Sequence, residues 1–140
     1  FLSARKIFKE DKNPEYVNWA DQFLSIAYAA LENGPEAKFH AKHYFNYSKV
    51  AEDMSMEGHA RYRLGTAHIL CQEFEDAERQ LVSALEQLTL DEKKDWEDIL
   101  GANRALAQAL VALGREEEAN TRLERIATIE ETICGDEKAA

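Results

Sequence analysis

Apolar residues recur every three or four positions along most of this 140-residue chain, the spacing that places them on one face of an α-helix. Breakers stand between these stretches at Pro14, Gly34-Pro35, Gly114 and Gly135, where they indicate turns. Ser55 suits the N-cap of the third helix. The pattern predicts six helices at about 14–33, 35–54, 56–71, 74–90, 96–113 and 116–133. No run of β-branched residues alternates with polar ones, so no strand is predicted.

The connections between these helices are short, which makes consecutive helices antiparallel neighbours. We therefore predict an all-α array of about three helix-turn-helix hairpins, at 14–54, 56–90 and 96–133. Residues 1–12 are predicted to be the end of a preceding helix, and residues 134–140 a tail. Because the numbering opens at Phe1, we expect the chain to be a piece of a longer protein, with further repeats or an oligomeric partner on at least one side.

A constant offset of 42 residues relates two parts of the chain. Leu64-Gly65, Ala77, Leu81 and Ala84 match Leu106-Ala107, Ala119, Leu123 and Ile126. A small residue where two helices cross lets the backbones approach, and a bulky residue four positions later fills the space beside it. The offset therefore indicates two packed helical hairpins of one type.

The best copy, Arg61-x-x-Leu64-Gly65-x-x-His68 followed by Ala77-x-x-x-Leu81, resembles the tetratricopeptide repeat, whose pattern is W-x2-L-G-x2-Y, then A-x3-F, then P. A looser first copy starts at Phe23-x-x-Ile26-Ala27, and the small position of its second helix appears at Ala41. The closing proline is missing, and the offset exceeds the usual period of about 34 residues. Longer repeats of this kind are similar to those of kinesin light chains, LGN-type polarity scaffolds and bacterial Rap-type regulators.

The resemblance implies a right-handed superhelix, in which the first helix of each hairpin lines a concave groove that holds a peptide or helix of a partner protein. It places one set of side chains in the groove: Asp21, Leu24, Tyr28 and Leu31; His59, Tyr62, Arg63, Thr66, Ile69 and Leu70; Arg104, Ala105, Gln108, Val111 and Ala112. Arg63 and Arg104 are expected to lie near each other and to receive a carboxylate. Packing between repeats is the alternative for Ile69, Leu70 and Val111.

Charge and composition narrow the classes of partner. The chain has 17 Lys and Arg against 27 Asp and Glu, a formal charge of -10, which repels nucleic acids and anionic membranes. No stretch approaches 18 apolar residues, so no membrane insertion is expected. Cys71 and Cys134 are too few for a disulfide framework. We therefore expect reduced thiols and a cytoplasmic protein.

Candidate catalytic and metal sites are sparse. His40 and His43, with Glu36, have a spacing that allows a metal, but surface histidines of this kind are usually unligated. Acidic clusters at 73–76 and 116–118 lie at helix starts, where they complement the helix dipole. No G-x-S-x-G turn or phosphate-binding loop is present. The aromatic residues are predicted to be inter-helix core: Trp19, Trp96, Phe8, Phe39, Phe45 and Phe74.

The sequence thus predicts no catalytic residue, no metal and no cofactor. It predicts a noncatalytic scaffold or adaptor that binds a protein or peptide. Two alternatives remain open at this stage. The first is a permanent structural subunit of a larger assembly, and the second is a peptide-sensing regulator.

Overall fold

The computed structural model describes residues 13–139, with side chains as far as Gly135. The helices are α1 Pro14–Ala30, α2 Gly34–Val50, α3 Met54–Leu70, α4 Phe74–Leu90, α5 Trp96–Ala112 and α6 Glu116–Ala139. The described residues contain no strand, and the prediction of an all-α chain is confirmed. The segment 1–12, predicted to end a preceding helix, lies outside the described residues.

Side-chain caps fix the starts of four helices. Asn13, Asn33, Asp53 and Asp95 each accept a hydrogen bond from the backbone N–H three residues later, at 3.0–3.3 Å. Such caps satisfy N–H groups that a helix leaves without an internal partner. The prediction that Ser55 caps the third helix is therefore wrong, because Asp53 caps it and the helix begins at Met54.

Four of the five turns have the same three-residue build. The backbone N–H of the third turn residue donates to a carbonyl five residues earlier, as in Asn33 to Tyr28 and Glu73 to His68. The middle residue has a positive φ, at Glu32, Glu52, Gln72 and Gly114. This is the Schellman arrangement, which closes the end of a helix. The predicted stop at Asn33-Gly34 is corrected accordingly, because Gly34 already belongs to α2 and Asn33 caps it.

The predicted end of the sixth helix near residue 133, with a tail at 134–140, is also wrong. The helix α6 continues through Gly135 to Ala139. A glycine inside a helix costs only about 1 kcal/mol relative to alanine, and therefore does not by itself end one.

Six alanines occupy the points where the helices cross. Ala20, Ala60 and Ala102 hold the same position in α1, α3 and α5, and Ala37, Ala77 and Ala119 hold the same position in α2, α4 and α6; all are at most 1% exposed. The small position of α2 is thus Ala37, and its assignment to Ala41 is wrong. The first two hairpins repeat at 40 residues and the last two at 42, because a five-residue loop at 91–95 replaces a three-residue turn.

Each helix packs on its neighbours in sequence, which makes an array of hairpins, as predicted. In addition, α1 contacts α3 and α3 contacts α5, whereas α2, α4 and α6 do not contact one another in the described part of the chain. The odd-numbered helices therefore form the tighter layer. A layer whose helices lie closer together is expected on the inner side of a curved array.

Two ion pairs link successive hairpins at equivalent positions, with opposite polarity. Lys38 on α2 donates to Glu73, the residue before α4, at 2.8 Å. Arg115, the residue before α6, donates to Glu78 on α4 at 2.7 Å. The two carboxylates and the two cations have exchanged places between one junction and the next.

Candidate functional site

We give the name odd-helix face to the surface that α1, α3 and α5 form on the side away from α2, α4 and α6. The groove residues were predicted to lie on this surface. Repeat periods of 40 and 42 residues identify equivalent positions: Tyr62 on α3 corresponds to Gln22 on α1 and to Arg104 on α5. The face changes in character along the array. It is aromatic on α1 and of mixed polar and apolar character on α3 and α5.

On α1 the predicted groove residues are corrected. Asp21 and Leu24 are 2% and 4% exposed, so they belong to the interior of the array. Tyr28 is half-buried and stacks on His40, with ring centroids 5.7 Å apart. Leu31 is exposed, but it lies in the turn after α1. The prediction failed because it placed the first copy two residues out of register with the other two.

The positions on α1 that correspond to His59 and Arg63 are Trp19 and Phe23. Their side chains are 44% and 37% exposed, and their ring centroids lie 4.7 Å apart. Trp19 and Phe39 were both predicted to be core, and this is wrong, since Phe39 is also exposed. The 40-residue offset would have placed Trp19 and Phe23 on this face.

On α3 the predicted groove residues His59 and Arg63 converge on Asp98 of α5. The His59 Nδ1 and Asp98 Oδ2 atoms lie 2.5 Å apart, and Arg63 Nη2 donates to Asp98 Oδ1 at 3.5 Å. Asp98 is held in place at the start of α5, where its own N–H donates to the capping Asp95. Arg63 therefore already has a carboxylate partner inside the chain, so it is not an open receptor for one.

Tyr62 fills a space that Gly101 of α5 leaves open. A Cβ atom added at Gly101 would lie 2.1 Å from the Tyr62 hydroxyl oxygen, so only glycine permits this contact. The Arg63 guanidinium lies over the Tyr62 ring, 4.6 Å from its centroid, a favourable cation–π distance. Tyr62 and Arg63 thus pack α3 against α5, in addition to any contact with a partner.

Hydrogen bonding and burial shift three pKa values on and near this face. The hydrogen bond to Asp98 raises the pKa of His59, against the opposing effect of burial. Burial raises the pKa of Tyr62, while the positive charges of Arg63 and Arg104 act in the opposite direction. Burial raises the pKa of Tyr44, on α2, to about 12. Both tyrosines are therefore neutral hydroxyls at neutral pH.

The end of α3 contributes less surface than predicted. Ile69 is 8% exposed and belongs to the main hydrophobic core, so its assignment to the groove is wrong. Leu70 is half-buried against Gly34. Thr66 is half-buried, and its hydroxyl donates to the Tyr62 carbonyl at 3.0 Å. The packing alternative holds for Ile69, because the α4 and α5 core covers this face of α3.

On α5 the predicted residues are open to solvent. Arg104, Gln108 and Val111 are exposed, Val111 by 55%. Ala105 is half-buried and Ala112 exposed. Arg104 donates to the exposed Glu130 of α6 at 2.9 Å. An exposed ion pair of this kind contributes little to stability, so a partner carboxylate can replace Glu130 at small cost.

Two groups of side chains bring potential metal ligands together. They are His59 with Asp95 and Asp98, and His68 with Glu73 and Asp76, and the ligand atoms of each group lie within 4.8 Å of one another. Each is engaged with a cation of the chain, the first with Arg63 and the second with Lys38. Of the two histidines considered from the sequence, His40 and His43, the structure places His40 Nδ1 2.8 Å from Oδ1 of buried Asp21.

Asp98 is the residue of this surface that the sequence did not identify. No role was predicted for it, and the structure places it three residues after the capping Asp95, in the first turn of α5. The 42-residue offset aligns it with Met56, which gives no hint of an acid at that position.

No family model and no curated protein matches this chain. Among the described residues, no helix has both the length and the apolar character needed to cross a membrane.

Proposed function

We propose that the chain is a noncatalytic scaffold of the tetratricopeptide type, which binds a segment of a partner protein on its odd-helix face. The observation that carries this proposal is the exposure of large side chains on the more closely packed of the two helix layers. Trp19 and Phe23 are exposed at one end of the face, and Val111 at the other. Aromatic and arginine side chains are the types that dominate binding energy in protein interfaces.

The polar groups on the face support a partner of mixed character. Arg104 and Gln108 on α5 are exposed and offer donors for backbone carbonyls or carboxylates. The apolar ends of the face favour a segment with an aliphatic or aromatic residue at each end. We further propose a cytoplasmic location, in keeping with free thiols at Cys71 and Cys134.

A photo-crosslinking amino acid at position 108 tests the proposal in the cells from which the protein derives. We expect adducts with a discrete partner, which mass spectrometry identifies by sequence. The matched control is the same amino acid at Thr121, which is exposed on α6. Equal adducts from both positions, or none from position 108, would contradict the proposal.

The crosslinked segment is then made as a peptide, and its affinity is measured for the Val111→Asp and Arg104→Glu variants. We expect each variant to weaken binding at least tenfold with an unchanged melting temperature, because both side chains are exposed. A permanent structural subunit would instead co-purify with its partner and would not exchange with free peptide.

A further inference from the structure

The side of the array opposite the odd-helix face contains a groove between α4 and α6, with α5 as its floor. We call it the α4–α6 trough. Its volume is about 590 Å³. The trough exists because α4 and α6, unlike the odd-numbered helices, do not contact each other within the described residues. Its lining includes Lys94, Trp96, Ile99, Asn103, Arg122 and Arg125.

A polar pair crosses each of the first two hairpins at the same repeat position. In hairpin 1, His40 Nδ1 and Asp21 Oδ1 lie 2.8 Å apart. In hairpin 2, Arg61 Nη1 donates to Gln80 Oε1 at 2.9 Å. Each pair joins the first helix of its hairpin to the second through one hydrogen bond inside the array, although His40 Nε2 and Arg61 Nε have no hydrogen-bond partner among the described residues.

The third hairpin also has polar residues at these two positions, but their side chains form no hydrogen bond with each other. Asn103 and Arg122 occupy the equivalent positions, and both line the trough. Asn103 donates through Nδ2 to the Ile99 carbonyl at 2.9 Å. Its Oδ1 atom has no hydrogen-bond partner in the part of the chain that the structure describes, although Asn103 is only 2% exposed. A buried acceptor left without a donor costs free energy, and a bound ligand that supplies one recovers it.

The charge of the trough is opposite to that of the whole chain. Lys94, Arg122 and Arg125 line it together with one carboxylate, Glu86. Lys94 donates to two backbone carbonyls, at 3.0 and 3.3 Å. Between residues 13 and 135, none of the three cations has a carboxylate within ion-pair distance. A concentration of unneutralised cations on a chain of formal charge -10 points to an anionic ligand.

The corresponding groove of hairpin 1 shows that this chemistry is particular to the third hairpin. That groove, of about 650 Å³, is lined by residues such as Val17, Tyr47 and Val50, with no lysine or arginine among its described lining residues. Its floor residue Asp21 is already paired with His40. The repeat thus provides two grooves of similar size, each with a buried asparagine oxygen that has no hydrogen-bond partner among the described residues, Asn18 Oδ1 in the first and Asn103 Oδ1 in the second. Only the α4–α6 trough combines such an acceptor with lysine and arginine side chains in its described lining.

We propose that the α4–α6 trough binds an extended acidic segment of a partner protein. A backbone N–H of the segment donates to Asn103 Oδ1, and its carboxylates accept hydrogen bonds from Arg122 and Arg125, in the bidentate geometry that guanidinium favours. An apolar side chain of the segment packs on Trp96 and Ile99. This site is separate from the odd-helix face and does not depend on it.

The test is a titration of the ¹⁵N-labelled chain with a decapeptide of alternating Glu and Leu, followed by NMR. We expect saturable shifts of the Asn103 side-chain amide and the Trp96 indole. The same peptide with Gln in place of Glu should bind at least tenfold more weakly. Saturable shifts confined to the odd-helix face, or equal binding of the Gln peptide, would overturn the proposal.

Charge reversal provides the second arm. We expect Arg122→Glu with Arg125→Glu to weaken peptide binding at least tenfold. Lys42→Glu with Arg79→Glu is the matched control, since it changes the net charge equally at exposed positions outside the trough. Equal loss in both double variants would overturn the proposal, because the effect would then be one of net charge. If the reversed variant is not folded by circular dichroism, Arg122→Gln with Arg125→Gln replaces it, with the same expected loss.

Other anions are tested against the same residues. Inorganic phosphate, a single-stranded oligonucleotide and vesicles with an anionic phospholipid are titrated separately. Binding of any of these at Asn103 and Arg122, when the acidic peptide does not bind, would overturn the assignment to a protein segment. Failure of the peptide here leaves the odd-helix face untouched, because its test uses residues 104, 108 and 111.

Discussion

At the scale of single residues, close helix packing depends on the absence of one carbon atom. A Cβ added at Gly65 on α3 would lie 2.6 Å from Leu81 Cγ and 2.7 Å from Leu81 Cδ2 on α4. Leu81 is fully buried, so it has no space into which to move. The equivalent residues of hairpin 1, Ser25 and Ala41, reverse the sizes, with the larger residue on the first helix.

We expect Gly65→Ala to destabilise the fold by about 1–3 kcal/mol, the usual cost of overpacking a core. Helix propensity alone would favour alanine by about 1 kcal/mol. A decrease in the free energy of unfolding therefore indicates the steric contact with Leu81, and an increase indicates helix propensity. Urea unfolding followed by circular dichroism measures it. Gly135→Ala is the control, since no atom lies within 4 Å of the added carbon. A Gly65→Ala chain as stable as the wild type would disprove this packing argument.

The His59–Asp98 pair makes stability depend on pH. The pair raises the folded-state pKa of His59, so its stabilisation is present below the unfolded pKa of about 6.5 and is lost as pH rises through the folded value. We expect the urea midpoint to fall between about pH 6 and about pH 9, and this fall to be smaller in His59→Gln and Asp98→Asn. Asp95 and Arg63 also face His59 and are unchanged in both variants. Identical pH profiles in all three chains would exclude the effect.

At the scale of the element, the three-residue turns share a backbone shape that only one of them matches with glycine. Glu32, Glu52 and Gln72 have φ values of 54–60°, and Gly114 has 77°. Residues with a Cβ pay about 1–2 kcal/mol in this left-handed region. The chain accepts this cost three times, because the shape closes each helix end and directs the next helix back.

We therefore expect Glu52→Gly to stabilise the chain and Gly114→Ala to destabilise it, each by about 1 kcal/mol. Glu92→Gly is the matched control. Residue 92 lies in the five-residue loop without a positive φ, so glycine there brings no gain. Urea unfolding of the three variants measures these changes in the free energy of unfolding. Stabilisation by Glu92→Gly equal to that by Glu52→Gly would show that the φ value is not the cause.

Helix number, type and order followed from apolar spacing and breakers, because each helix buries one stripe. The contact of Gly65 with Leu81 was also accessible, since both residues recur in the 42-residue offset. The register of the first hairpin could not be predicted from the sequence, because Ala37 and Ala41 are both alanines and lie four residues apart on the same helix. Contacts between hairpins, such as His59 with Asp98, depend on how helices far apart in sequence dock, and neither residue alone indicates its partner.

At the scale of the whole molecule, the excess of negative charge opposes folding. A formal charge of -10 on a compact chain repels itself, and salt screens this repulsion over about 8–10 Å. Several ion pairs, such as Arg79–Asp76 and Arg104–Glu130, join two exposed side chains, where each contributes little. Self-repulsion therefore outweighs the loss of those pairs when salt is added.

We expect the melting temperature to rise by about 3 °C, or about 1 kcal/mol, when the salt concentration increases from about 10 mM to about 300 mM. Thermal unfolding followed by circular dichroism measures it. Glu116→Gln with Glu117→Gln removes two exposed carboxylates and should show a smaller rise. A melting temperature that falls with salt would mean that the ion pairs dominate.

The exchanged polarity of the two ion pairs between hairpins also favours one order of the hairpins along the chain. Lys38 meets Glu73, and Glu78 meets Arg115, so each junction joins opposite charges only in the present order of the hairpins. A chain rearranged to place the third hairpin directly after the first would bring Lys38 opposite Arg115, two like charges. The ion pairs therefore favour neighbours of matching charge. An array lengthened by duplication of a hairpin keeps opposite charges together only if the cation and the carboxylate continue to alternate between junctions.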